Sequence, residues 1–436
     1  MRSDDTIFAP ASGYGRAAIS VIRISGARSR FILETIAGGM PAPRRLVLRI
    51  LKDPKNGTAL DEALVAWMPG PESFTGEDQV ELHIHGGLAT RAAVLKALGS
   101  LDDCRPAEAG EFTRRAFLNG RMDLSRVEGL ADLIDAETEA QRRQALSQLE
   151  GRLGQTTERW REEILQALAL LEASLDFSDE GDVPEDLERD VLRRLSDLEA
   201  SVACVLANRS GERLRDGLTV VLAGPPNAGK STLLNALARR DVAIVSPIAG
   251  TTRDLLEVHC DLGGLPVVIV DTAGLHDSAD PIEQEGVARA RARAERADLV
   301  LWLVPPEGTE GEPPAARRVL RVRTKADLNR SRDESDLTVS AATGEGMTML
   351  IERLSREAEE TLGQADALLT RERHRRALER AHRSIKSGMD LLERRGPIEL
   401  AAEEVRLAAR AFGEITGRVD VEDVLDRLFS SFCIGK

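Results

Sequence analysis

Aromatic side chains are scarce. Nine phenylalanines, three tryptophans and one tyrosine make up 3% of 436 residues, so any core here is filled by aliphatic side chains. Cysteine is scarcer still: Cys104, Cys204, Cys260 and Cys433 are scattered without paired spacing. That excludes a disulfide framework or a cysteine zinc site and fits a reducing, cytoplasmic setting. No stretch approaches the roughly 20 apolar residues that span a bilayer. The opening residues hold no apolar run of signal length, so no membrane association is expected. Internal repeats and low-complexity tracts are missing too. Net positive charge is absent: the formal charge is −14. Nucleic acid is therefore not drawn by the overall field, and contact with RNA needs a local basic patch or a basic partner. One basic cluster, Arg371, Arg373, Arg375 and Arg376, reads as a solvated helix face.

What the chain does have is length and clear changes of pattern. At 436 residues and about 150 residues per domain, roughly three domains are expected. Up to about residue 119 the pattern is mixed. Residues 18–24, 63–68 and 80–85 are rich in β-branched or alternating apolar residues and read as strands, and 90–98 reads as a helix, which together make a small α+β domain. From 123 to about 208, apolar residues recur at three and four positions, among them Leu130, Leu133, Trp160, Ile164, Leu168 and Leu171. That is the stripe of amphipathic helices, interrupted at 179–184. A polar stretch at 208–216 leads into a strand at 218–223 and an α/β pattern that runs to about 362. Helical periodicity then returns through Leu378, Ile385, Met389 and Leu392, with a last stripe of Val421, Val424, Leu425 and Leu428. The α/β segment reads as an insertion between two helical stretches that pack together.

The chemistry sits in that insertion. Gly224-Pro225-Pro226-Asn227-Ala228-Gly229-Lys230-Ser231 follows an apolar strand and precedes the apolar-periodic helix 232–237. This is the context that makes such a loop a phosphate cradle. Its glycines let backbone amides turn inward, and the helix start adds its positive dipole end. Lys230 is expected to reach the β- and γ-phosphates, Ser231 to bind Mg²⁺, and Ala228, Gly229 and Thr232 to contact the nucleotide. In Gly250-Thr251-Thr252-Arg253-Asp254, Thr252 is the candidate to complete the magnesium shell. Val267-Val268-Ile269-Val270-Asp271-Thr272-Ala273-Gly274 is a buried strand ending in a carboxylate. Asp271 is expected to hold Mg²⁺ through water, and Gly274 to offer its amide to the γ-phosphate. Thr324-Lys325-Ala326-Asp327 follows a strand at 319–322; Asp327 can accept both guanine donors, which adenine lacks. The Lys325 stem is expected to cover the base, and backbone amides of Ser340, Ala341 and Ala342 to meet the guanine O6. GTP is thus the expected nucleotide. Leu275 stands where a water-positioning glutamine is common, so another residue must hold the water. His276, Asp277, Asp280, Glu283 and Glu285 are the nearby candidates.

Beyond these elements, the chain carries Arg23-Ile24-Ser25-Gly26, Phe74-Thr75-Gly76-Glu77-Asp78, His85-Gly86-Gly87, Gly110-Glu111-Phe112-Thr113 and Arg115-Ala116-Phe117-Leu118-Asn119. It also carries Asp132-Leu133-Ile134-Asp135-Ala136 and the terminal Cys433-Ile434-Gly435-Lys436. With them it resembles the bacterial MnmE (TrmE) family of tRNA-modification GTPases over essentially its whole length. The resemblance implies a multidomain fold. An α+β N-terminal tetrahydrofolate-binding and dimerisation domain is expected at 1–119. An α-helical domain is expected from 120–214 and 365–436, and an inserted α/β P-loop Ras-like G domain at 215–364. It implies a homodimer that works with the flavoprotein MnmG (GidA) in a heterotetramer. The implied product is a carboxymethylaminomethyl group at carbon 5 of the wobble uridine of certain tRNAs, with a reduced folate as one-carbon donor. It implies hydrolysis stimulated by K⁺, held by Asn227 and groups at Ser246, Ile248 and Thr251. Glu283 matches the water-orienting glutamate, and Arg23, Glu81, Arg121 and Lys436 match the folate contacts.

Two departures stand out. Arg121 is found where Lys is usual, with different hydrogen-bond geometry. Thr324 is found where Asn opens the guanine-reading motif. Its shorter side chain is expected to lose a loop-bracing hydrogen bond and weaken binding, while Lys325 and Asp327 keep the guanine preference. Cys433 is either a nucleophile or a packed thiol. His83 and His85 share a strand face, but no third metal ligand accompanies them and ordinary packing is expected. An alternative reading is a GTP-switch assembly factor, of the ribosome-maturation type, without modification chemistry. It leaves the folate-type residues and the terminal motif unexplained.

Overall fold

Alternating apolar residues build a first sheet from β1 (Thr6–Pro10), β2 (Ile19–Ser25), β3 (Val47–Lys52), β4 (Ala59–Met68), β5 (Gln79–His85) and β6 (Cys104–Pro106). The structure, a computed structural model, describes residues 5–13, 15–176, 185–240, 242–244, 257–271, 297–306, 313, 318–328, 337–363, 367–419, 422–432 and 434–435. The chain divides into two compact units. One comprises Met1–Ala131, Gly154–Glu162 and Ala409–Lys436, the other Asp132–Leu153 and Glu163–Ala408.

In the first unit the strand order is β3-β4-β5-β2-β1-β6, antiparallel except for β1 with β6. One face buries Ile22, Ile24, Val65, Leu82 and Ile84 under α1 (Ser29–Ala37) and α2 (Leu88–Leu98), through Ile32, Leu33, Val94 and Leu98. Because side chains alternate along a strand, Val21, Arg23, Glu81 and His83 stand on the other face. The register aligns Arg23 with Glu81, and Val21 with His83, Leu64 and Leu48. Leu46, Leu48 and Ile50 are exposed there at 52–55%, which leaves an apolar stripe beside the Arg23–Glu81 row. Helix α3 (Glu111–Leu118) follows, then α4 (Leu124–Asp135). Further along, Trp160 packs on Phe412 with ring centroids 5.8 Å apart.

Helices α5 (Glu139–Leu149), the long α6 (Arg152–Asp176), of which 154–162 belong to the first unit, and α7 (Glu185–Ala207) confirm the helical stripe; the interruption expected at 179–184 lies outside the described residues. Short α8 (Ser210–Asp216) then leads directly into the second sheet, formed by β7 (Leu218–Ala223), β8 (Glu257–Leu262), β9 (Leu265–Asp271), β10 (Leu299–Val304), β11 (Val319–Arg323) and β12 (Leu337–Thr338). Its order is β12-β11-β10-β7-β9-β8, parallel except for β8. A parallel sheet buried on both faces reads as continuous apolar runs rather than alternation. Leu299–Val304 is accordingly buried at every position. One face packs on α9 (Lys230–Ala238) and α10 (Met347–Leu362), through Leu233, Leu237, Leu350 and Leu354.

The insertion is real: helix resumes after the sheet with α11 (Glu372–Glu393), then α12 (Ile398–Thr416) and α13 (Glu422–Ser431). Helix α11 runs against α7, with His382 Nε2 2.7 Å from Glu199 Oε1. Entry and exit segments are stitched together. Arg375 donates to Glu212, to Leu206 O and to Asn208 O, the last two at 2.7 Å. Asp132 Oδ1 accepts from Arg215 at 2.9 Å and from Arg371 at 2.6 Å. Two members of the expected solvated basic face are thus structural staples. Arg376, paired with Glu372 at 69% and 63% side-chain exposure, keeps the solvated role.

Arg375→Ala is expected to cost about 3 kcal/mol in denaturant unfolding, since its side chain is 3% exposed and its removal leaves the half-buried Glu212 carboxylate and two carbonyls without that donor. Arg376→Ala in the same assay is expected to leave the transition unmoved.

Candidate nucleotide site

Strand β7 delivers the chain to Gly224, whose φ of 152° is closed to other residues. A Cβ there would also lie 2.5 Å from Leu303 O, so glycine is what lets the loop cross the end of β10. The turn continues through Asn227 at φ 61° and Gly229 at φ 89°, and α9 begins at Lys230. Among the described residues, the amides of Gly229, Lys230, Ser231 and Thr232 have no acceptor. They are the unmet donors of a helix start, grouped as an anion site requires. Lys230 is 8% exposed and donates to Gly224 O at 3.0 Å and Pro225 O at 3.1 Å. Burial holds its ammonium below the ordinary lysine range, against the pull of Asp271.

Strand β9 places Asp271 beside this helix start. Ser231 Oγ donates to Asp271 Oδ2 at 2.6 Å, which brings together two residues expected around Mg²⁺. The carboxylate is 2% exposed and, among the described residues, its Oδ1 has no hydrogen-bond partner. A buried orphan oxygen is costly unless something else meets it. The donor set, a hydroxyl and a carboxylate beside phosphate-binding amides, is the hard oxygen chemistry that suits Mg²⁺.

Strand β11 carries the base-reading turn. Lys325 has φ 57°, and Asp327 accepts from Ser340 Oγ at 2.6 Å. The Ser340 amide is already given to Glu345 O at 2.9 Å; among the described residues, those of Ala341 and Ala342 have no acceptor. The bracing bond expected to be lost at Thr324 is present: Thr324 Oγ1 donates to Ala228 O at 2.7 Å. Ser246, Ile248, Gly250, Thr251, Thr252, Thr272, Ala273, Gly274, Leu275, His276, Asp277, Asp280, Glu283, Glu285, Cys433 and Lys436 lie outside the described residues.

The first unit brings together the other predicted group. Arg23 Nε and Nη2 donate to Glu81 Oε1 at 3.2 and 3.1 Å. The guanidinium lies 5.3 Å from the Phe74 ring centroid and 5.9 Å from that of Phe112, a cation–π seat. Arg121 borders the same turn: a Cβ on Gly76 would lie 3.3 Å from its Cγ. The turn is held by Asn119 Nδ2, which donates to Thr75 O at 2.7 Å, and by Glu77, which accepts from Ser25 at 2.8 Å and Arg115 at 3.1 Å. Arg115 and Arg105 also grip Glu111. Burial acts to raise the Glu111 carboxyl, but hydrogen bonds from Arg105, the Glu108 amide and Arg115 together hold it below its usual range. The tail docks here too: Ile434 bridges Ala109, and a Cβ on Gly435, at φ 103°, would lie 2.0 Å from Pro10 O.

His83 and His85 take carboxylate partners, His83 with Glu81 at 3.4 Å and His85 with Asp61 at 2.7 Å. Among the described residues no cluster of three or more His, Cys, Asp or Glu side chains is placed to hold a metal ion. Burial pushes the thiols of Cys104 and Cys260 up to about 12 and about 11, far from nucleophile chemistry.

A glycine-linked phosphate loop between a parallel strand and a helix, a carboxylate ending the neighbouring strand and a braced base-reading aspartate define a P-loop GTPase. Two family models cover most of the chain: GTP-binding protein TrmE N-terminus at 6–121 and MnmE helical domain at 124–433. The tRNA modification GTPase MnmE of a Methylobacterium species is 61% identical over 443 residues, spanning 99% of this chain and 100% of that protein. Proteins of that name from Methylorubrum populi and Azorhizobium caulinodans are 59% and 52% identical, the second over 100% of both chains. The chain belongs to the MnmE family of tRNA modification GTPases and binds and hydrolyses GTP.

Lys230→Ala is expected to weaken GTP and GDP by about 100-fold in calorimetric titration, the loss of a charge-assisted phosphate contact. Binding within a few-fold of the parent protein would remove Lys230 from the phosphate site.

Proposed function

We propose that this chain couples K⁺-stimulated GTP hydrolysis to modification of tRNA. With a flavoprotein of the MnmG (GidA) kind, in a heterotetramer, it adds a carboxymethylaminomethyl group at carbon 5 of the wobble uridine of certain tRNAs, in the cytoplasm. The observation that carries this reading is full-length identity of 61% to a tRNA modification GTPase, with the two predicted residue groups, Lys230–Ser231–Asp271 and Arg23–Glu81, each gathered in space. The domain bounds 1–119, 120–214, 215–364 and 365–436 belong to the same reading.

The chain's own residues have distinct tasks. The amides of 229–232 and Lys230 hold the phosphates in line. Ser231 and Asp271, with Thr252, would hold Mg²⁺, which supplies charge neutralisation at the phosphate oxygens when bound. Asn227, exposed at the mouth of the loop, would hold K⁺ with groups at Ser246, Ile248 and Thr251, in the place an arginine finger serves elsewhere. Asp327, fixed by Ser340, selects guanine. Glu283 orients the attacking water, a task Leu275 cannot perform. Arg23, Glu81, Arg121 and Lys436 would hold a reduced folate. Among the described residues Glu81 Oε2 meets only His83, at 3.4 Å, and so keeps acceptor capacity for a ligand's N–H groups, with aromatic rings alongside.

The exposed stripe of Leu46, Leu48, Ile50 and Leu64 supports a homodimer made by this sheet face, since apolar patches of this kind mark contact surfaces.

A strain carrying Glu283→Ala is expected to lose the wobble-uridine modification, read by nucleoside mass spectrometry, while the purified variant binds GDP as the parent does and barely turns over GTP. Wobble-uridine modification kept at the parent level in that strain would defeat the coupling, and equal parent turnover in Na⁺ and K⁺ would defeat the cation site. Leu48→Glu is expected to convert the dimer to monomer in sedimentation; a persisting dimer would move the interface elsewhere.

A further inference from the structure

We propose that Thr324 is a positioning residue whose hydroxyl fastens the guanine-reading turn to the phosphate loop, so that base recognition and phosphate binding depend on each other. The proposal rests on the GTP-binding reading of this pocket and deepens it.

Thr324 is the first residue after β11 and is 8% exposed. Its amide donates to Val304 O at 3.0 Å, which pins the turn to the end of β10. Its hydroxyl donates to Ala228 O at 2.7 Å, across 96 positions of sequence. Ala228 is wholly buried in the middle of the phosphate loop, between Asn227 and Gly229. On the far side, Lys325 holds a left-handed φ of 57°, a conformation that persists only where neighbours enforce it. Ala326 N then donates to Val339 O at 3.2 Å, and Asp327 accepts from Ser340 at 2.6 Å. A continuous line of bonds therefore runs from the phosphate loop through Thr324 to the carboxylate that reads the base.

A hydroxyl has a single proton to give. Thr324 gives it to Ala228, so it has none left for the loop at 340–342. The Ser340 hydroxyl ties that loop to Asp327 instead. Two hydroxyls on separate segments thus perform a bracing task for which one carboxamide, with two donor hydrogens, would suffice. Valine keeps the shape of Thr324 but removes the donor, leaving the Ala228 carbonyl buried without it. Serine keeps the donor.

The experiment is competition of GDP and IDP against a fluorescent GDP analogue on the full chain with Mg²⁺. IDP lacks the 2-amino group that Asp327 reads. Absence of GDP binding by the parent protein would defeat the GTP reading itself, separately from this proposal. Thr324→Val is expected to weaken GDP by about tenfold and to shrink the GDP-over-IDP preference by about threefold or more, since Asp327 is less firmly placed. Thr324→Ser is expected to keep both values within about twofold of the parent. A general loss of folding would lower both affinities and leave their ratio alone. The proposal is overturned by Thr324→Val binding GDP like the parent, by an unchanged preference, or by serine failing as valine does.

Discussion

Four amides at the start of α9 have no acceptor among the described residues, and the rest of the pocket answers to that fact. Unmet donors at a helix start are costly when water is kept out and useful when an anion arrives. The loop before them can bring its backbone so close only because Gly224 lies against Leu303 O without a Cβ. The sheet beneath supplies rigidity: β7 and β10 are buried almost throughout, so the strand ends that carry Gly224, Asp271 and Thr324 have little freedom to drift.

The two units solve their polar problems differently. In the G-type sheet the polar groups are few and aimed at one place. In the first unit, Asp5, Glu77, Arg105, Glu111 and Arg115 form an interlocked ionic cluster around the first turns of α3. Such a cluster gives orientation more than stability. Here it fixes the 74–77 turn, and with it Phe74 under Arg23. The sequence motifs around Phe74, Gly110 and Arg115 are thus accounted for largely as scaffold.

What could be read beforehand was what is local in the chain. The phosphate loop, Asp271 at the end of an apolar strand and the amphipathic helices each announce themselves within a dozen residues. The strand at Ile19–Ser25 shows in its β-branched residues and that at Gln79–His85 in its alternation. Leu299–Val304 has no alternation to recognise, because both its faces are covered. Long-range contacts left no mark at all. Nothing near Thr324 announces a carbonyl 96 positions away, and nothing in an arginine-rich helix start separates the buried Arg375 from the exposed Arg376. Ser340 was expected to contribute its amide, but only the folded turn shows that amide spent on Glu345 and the hydroxyl turned to Asp327.

The shortage of aromatic residues makes the chain unusually easy to watch. Its three tryptophans fall in three separate neighbourhoods. Trp67 lies in β4, Trp160 stacks on Phe412, and Trp302 sits in β10 opposite Ala223, one residue before Gly224. An intrinsic optical reporter is therefore already built in beneath the phosphate loop. With Trp67 and Trp160 replaced by phenylalanine, ultraviolet emission would come from that one indole, and nucleotide arrival could be followed without any attached dye.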